Sequence, residues 1–165
     1  MEWMDKLTAS WARSAPGVDI SSLVPMAKLA RVGLLLTAFQ DEQLAPYGLR
    51  SGDYSVLAAL RRSGQPYRLS PSELYNVLEC SSGGMTKMLK RLEARGLIER
   101  VPDPSDGRSN PVSLTSEGRR FERKVFDTLL AGTRDLLAPM SAAQLRDADR
   151  SLEQLLGCFE RHFYR

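Results

Sequence analysis

Between Ser70 and Leu114 the hydrophobic pattern changes period, and that change constrains the fold more than any other feature of the chain. Ser70, Pro71, Ser72 and Glu73 form a capping box with proline at the first helical position, where its missing N–H costs nothing, and predict a short helix over 71–78. A break at Cys80, Ser81 and Ser82 leads into a second helix running to Arg95, closed by Gly96 as a left-handed cap. Met85, Met88, Leu89 and Leu92 recur along it at three- and four-residue spacing, while Thr86, Lys87, Lys90 and Arg91 lie mostly on the other side. After Gly96 the alternation Leu97, Ile98, Glu99, Arg100, Val101 reads as a strand, with Val112, Ser113 and Leu114 as its return partner. The polar loop between them, residues 102–111, is too long for a tight turn and projects as a wing.

The flanks are helical. Residues 22–44 are helix-friendly, and between Leu29 and Phe39 apolar on nearly every face, which predicts a helix buried all round. Ala45, Pro46, Tyr47 and Gly48 break it, and Ser51 opens a shorter helix in which Tyr54, Leu57, Ala58 and Arg61 share a face. Beyond the wing, Thr115 caps a helix from Ser116 to about Leu137, ended by Pro139. Ser141 and Gln144 make a second capping box, and Leu145, Ala148, Leu152, Leu155, Leu156 and Phe159 carry the last helix. Such stripes fold onto the chain's own core or pair with a twin subunit, and pairing is the favoured reading.

Several function classes find no support. The longest nearly apolar run, residues 32–39, is far shorter than the ~20 residues of a membrane span, so no membrane partner is expected. Glu2 and Asp5 beside Lys6 do not read as a secretory signal, and a cytoplasmic location is the expectation. Cys80 and Cys158 lack the spacing of a zinc site or redox pair, and His162 is the lone histidine, so neither metal nor cofactor is expected. No Gly-x-Ser-x-Gly, Walker loop or Gly-x-Gly-x-x-Gly occurs, which leaves no catalytic residues to assign and no enzyme reading. The net charge of +3 is unevenly placed: residues 50–124 hold 14 basic against 9 acidic side chains, while both ends are slightly acidic. A central unit facing a polyanion fits that asymmetry, as does a merely solvated basic face.

Three helices followed by a hairpin with a projecting loop is the winged helix-turn-helix order, and here the residues resemble the MarR family of bacterial winged-helix regulators. The matching stretch runs from Gly48 and Leu49 through Leu69–Leu74 and Ser81–Thr86 to Arg91, Leu92, Glu93, Ala94, Arg95, Gly96, Leu97, Ile98, Glu99 and Arg100. It continues through Asp103, Pro104, Ser105, Asp106, Gly107 and Arg108 to Leu114, Thr115, Ser116, Glu117 and Gly118. The resemblance implies a mostly α fold with a small β-hairpin wing. Residues 1–47 would be N-terminal dimerisation helices, 48–115 the DNA-binding lobe and 116–165 C-terminal dimerisation helices. The partners implied are double-stranded DNA, as an inverted-repeat operator, a second copy of the chain, and a small-molecule effector.

The DNA chemistry also follows from the residues. A helix fits the major groove of B-DNA, and the small residues Ser81, Ser82 and Gly84 let its N-terminus approach phosphates. Thr86, Lys87 and Lys90 would then reach base edges or backbone. Arg91 is read as a DNA contact, with a salt bridge inside the domain as its alternative, and Arg95 as stabilising the dipole of its own helix. In the wing, Arg108 suits a minor groove and Asp106 can hold it extended. Ser70 and Ser109 complete the DNA-binding candidates.

By resemblance, an aromatic or phenolic effector, as acid or thioester, releases the operator by population shift. Trp11, Arg31, Phe39, Tyr54, Ser55 and Met88 are the effector-binding candidates, each with ordinary core or interface packing as its alternative. The N-terminal stretch with Trp3 and Trp11 resembles the urate-responsive branch of the family. That branch has an acidic residue in the second helix and an arginine in the recognition helix, positions placed here at Ser55 and Met88, which argues against urate. Two other readings are a redox-responsive regulator sensing through Cys80 at a helix N-terminus and a nonspecific DNA-binding protein.

Overall fold

The structure, a computed structural model, describes residues 2–78, 82–101 and 110–164. Its elements run α1 (Glu2–Ser14), α2 (Leu23–Leu44), a single 3-10 turn at Ala45–Tyr47, α3 (Ser51–Arg62), β1 (Arg68–Leu69), α4 (Pro71–Leu78), α5 (Ser82–Ala94), β2 (Ile98–Arg100), β3 (Val112–Leu114), α6 (Ser116–Leu137) and α7 (Ala142–Phe163). Two compact units divide after Val125, within α6: Met1–Val125 and Phe126–Arg165.

The local signals that mark each element are visible as hydrogen bonds. Ser70 N–H donates to Glu73 Oε2 at 2.7 Å and Glu73 N–H to Ser70 Oγ at 3.2 Å, closing the capping box of α4. Those bonds hold the exposed Glu73 carboxyl below the usual carboxylate range. Ser141 and Gln144 close the same box on α7. Thr115 Oγ1 accepts from Gly118 N–H at 2.9 Å at the start of α6. Gly96, at φ +67°, takes the left-handed conformation that ends α5 and turns the chain into β2.

The hairpin belongs to a three-stranded sheet. β3 is central, pairing antiparallel with β2 (Ile98 opposite Leu114, Arg100 opposite Val112) and with β1 (Arg68 opposite Ser113, Leu69 opposite Val112). β1 carries no alternation to be read from sequence, because two residues cannot show a period.

The core of the first unit gathers Val56, Leu57 and Leu60 of α3, Leu74 of α4, Met85, Leu89 and Leu92 of α5, and Val112 and Leu114 of β3, all at most 3% exposed. Asp53, 3% exposed, adds an ionic clamp: Arg91 Nε donates to its two carboxylate oxygens at 3.1 and 3.2 Å, and Arg91 Nη2 to Oδ1. The same carboxylate accepts from Arg50 N–H at 3.3 Å at the start of α3. One side chain thus fixes both the start of α3 and the angle at which α5 crosses it.

One expectation fails. α2 is not buried all round: Val32, Leu34, Leu35 and Leu36 are 49–62% exposed, and Leu44 alone is buried. An apolar period reports that a helix needs cover and is silent on which chain supplies it. The helical stretch Leu23–Tyr47 is also long and apolar enough to cross a membrane by length and composition, which the short uninterrupted run at 32–39 concealed. α6 and α7 likewise leave Phe126, Leu136, Leu152, Leu156 and Phe159 exposed.

Two outcomes are expected. A Cβ on Gly118 would stand 1.8 Å from the Leu97 carbonyl oxygen, so Gly118→Ala should destabilise the lobe by about 3 kcal/mol, visible as a lowered unfolding midpoint. Asp53→Asn should cost about 2 kcal/mol in denaturant unfolding, the figure discounted because Arg91 keeps 37% of its side chain exposed; an unchanged midpoint would show that the pair does not hold α5.

Candidate nucleic-acid interface

α5 presents two chemically distinct faces. Met85, Met88, Leu89 and Leu92 are buried against the core, and Thr86, Lys87 and Lys90 are exposed. Their directions follow from the helical period, since residues three and four apart share a side. Ser82 is the first residue of α5, and Gly84 is half-buried in its first turn. Ser70, also among the DNA-binding candidates, is half-buried and spends its hydroxyl oxygen and its N–H on the capping box of α4. Cys80, Ser81, Asp106, Arg108 and Ser109 lie outside the described residues.

Arg91 takes the second of its two readings. Its guanidinium is engaged with Asp53 inside the domain, because a carboxylate buried at the start of α3 requires a cation, and Arg91 is the side chain that reaches it. Arg95 departs from expectation too. Its Nη1 donates to the Gly48 carbonyl at 3.1 Å and its Nη2 to the Tyr47 carbonyl at 3.0 Å, so it serves the end of the α2 run and not its own helix. At the base of the wing, Arg100 Nε donates to Glu93 Oε1 at 2.8 Å and ties β2 back to α5.

The effector candidates fall into two groups. Met88 is buried between α5 and α3, with its Sδ 2.7 Å from where a Cβ on Gly52 would stand. Tyr54 is half-buried, and burial first, then the Glu122 carboxylate, push its hydroxyl pKa up against the opposing influence of Arg62. Ser55 Oγ donates to the Ser51 carbonyl at 3.0 Å. Trp11 is exposed on α1, Arg31 is exposed on α2 with its guanidinium 5.7 Å from the Trp3 ring centroid, and Phe39 is half-buried. Asp53 is the residue that the sequence does not single out, and Arg95 takes a partner other than its own helix. An aspartate at the third position of a helix that starts after Arg50 was the one available signal, and it marks a cap without revealing the distant arginine.

Among the described residues no group of three or more His, Cys, Asp or Glu side chains could hold a metal ion.

Residues 47–109 match the MarR family, the span from the 3-10 turn into the wing. The HTH-type transcriptional regulator PecS of Dickeya dadantii is 33% identical over 156 residues, covering 94% of this chain and 92% of that protein. Among solved structures, a mutant of Escherichia coli MarR complexed with operator DNA superposes with a TM-score of 0.69 at 25% identity, over 84% of this chain and 99% of that one. The Mycobacterium tuberculosis MarR-family protein Rv2887 in complex with p-aminosalicylic acid gives 0.62 at 29% identity, over 84% and 98%. A two-faced helix on a winged-helix core, matched by relatives over nearly the whole chain, places this protein in the MarR family of helix-turn-helix transcriptional regulators.

Proposed function

We propose that this chain is a cytoplasmic homodimeric repressor that binds an inverted-repeat operator and is released from it by a small aromatic effector. The observation that carries the DNA half of this reading is the two-faced α5, whose apolar side is consumed by the core while Thr86, Lys87 and Lys90 stay exposed. The likeness to a MarR structure holding operator DNA supports it. Residues 48–115 form the DNA-binding lobe, and residues 1–47 and 116–165 supply the dimerisation helices. Arg108, held by Asp106, enters the minor groove beside Ser109, while Ser81 and Ser82 approach phosphate.

The exposed apolar faces of α2, α6 and α7 support the homodimer. A second copy covers Val32, Leu35, Leu152 and Leu156 without leaving Asp41, Glu42, Asp147 or Arg150 in an apolar medium, which a lipid bilayer would do. Recognition helices about 34 Å apart then meet successive major grooves.

The solved complex of a relative with p-aminosalicylic acid supports an aromatic acid as the effector class. Tyr54, Ser55 and Met88 on α3 and α5, with Trp11, Arg31 and Phe39 from the N-terminal helices, remain the candidate contacts. The pair Asp53–Arg91 bears on this choice. Asp53 and Arg91 are spent on each other inside the lobe, so they join none of these candidates, and Ser55 and Met88 continue to argue against urate.

Duplexes selected from a random pool by the full chain test this reading. They should share an inverted repeat, and binding should weaken about a hundredfold or more between 50 and 200 mM salt. Lys87→Ala should lower affinity and change the preferred sequence, whereas Arg108→Ala should lower it by about tenfold for all sequences. Selection of no common sequence would leave a nonspecific binder and overturn the proposal. Leu35→Glu should shift sedimentation toward the monomer and abolish operator binding with it.

A further inference from the structure

We infer that Arg95 is a positioning residue that sets the angle of the recognition helix relative to the long helices, and through it the half-site spacing the protein accepts. The inference rests on the dimeric reading above. Arg95 follows directly on α5, and its guanidinium reaches two other parts of the chain at once. It donates to the carbonyls of Tyr47 and Gly48, which end the helical run that begins with α2. It also lies over the ring of Phe121 in the second turn of α6, 5.0 Å from the centroid. Phe121 meets Tyr47 edge-on at 5.9 Å, and the Lys124 ammonium lies 5.8 Å from the Tyr47 ring centroid.

The chemistry suits a joint. Carbonyls at the end of a helical run lack intrahelical donors, and the planar guanidinium can serve two of them while its face stacks on an aromatic ring. Gly48, at φ +60°, turns the chain away just there and leaves its carbonyl and that of Tyr47 to a donor from another element. α2 and α6 carry exposed apolar side chains that a second copy would cover, such as Leu35 and Phe126. Arg95 therefore sits where those helices meet the end of the helix that faces DNA. One turn earlier on α5, Arg91 pairs with Asp53 and holds the helix to α3 within the lobe.

The test uses the full chain and duplexes selected by the wild type, in which the spacing between half-sites is then lengthened by one or two base pairs. The ratio of affinities for natural and lengthened duplexes is independent of the folded fraction, so a general loss of stability would not move it. Wild type should favour the natural spacing by about tenfold or more, and Arg95→Met should bring the ratio to within about threefold of unity while the preferred half-site sequence persists. Arg95→Lys, which keeps the cation over Phe121 but cannot serve both carbonyls in the plane of a guanidinium, should fall between them. A wild-type ratio in both variants would overturn the inference and leave the dimeric reading standing. A wild type indifferent to spacing would overturn both.

Discussion

Everything this chain does with DNA depends on one side of α5 being spent on the core. Met85, Leu89 and Leu92 are buried to within 3%, and each contributes about 2 kcal/mol of transfer free energy that would be lost if the helix rolled. Rolling is therefore expensive, and the polar side has no freedom to turn inward. Asp53 and Arg91 add direction to that adhesion. Apolar burial fixes which face is inside, whereas a bidentate ion pair fixes the rotation and the rise, because both carboxylate oxygens must meet the same guanidinium. The exposed lysines are then held at a defined angle before any DNA arrives, and less ordering remains to be done on binding.

The same economy appears in the sheet. β3 has its two neighbours along three residues, and its side chains are buried, including Ser113 at 6%. A strand this short is not stable alone; it exists because β1 and β2 pair with it on either edge and α3 packs against it. Gly118 has no space for a methyl group against the Leu97 carbonyl, so the first turn of α6 lies at contact distance from the residue that precedes β2. The wing thus springs from a rigid base, tied again to α5 through Arg100 and Glu93.

Much of this was legible in the sequence, and the limit is physical. The Ser70–Glu73 and Ser141–Gln144 boxes, the Gly96 cap and the switch from helical to alternating period at Leu97 are local, and local hydrogen bonding or sterics determines them. β1 escaped because pairing with β3, not its own residues, makes Arg68 and Leu69 a strand. For Arg91 a salt bridge inside the domain is legible as an alternative, but neither its partner nor that of Arg95 is, since those partners lie 38 and 47 positions away and no periodicity connects them. α2 was misjudged for a related reason. Its apolar faces were read correctly as needing cover, yet within this chain they have none. Asp106 and Arg108, the most specific part of the match to the family, lie outside the described residues.

In the proposed complex the exposed side of α5 lies in the major groove. Guanine N7 is exposed only there, so dimethyl sulfate protection of a duplex bound by the full chain measures it directly. Two clusters of protected guanines about one helical turn apart, lost together when Lys87 and Lys90 are replaced by alanine, are the predicted result. Full reactivity of N7 across a duplex that remains bound would contradict it.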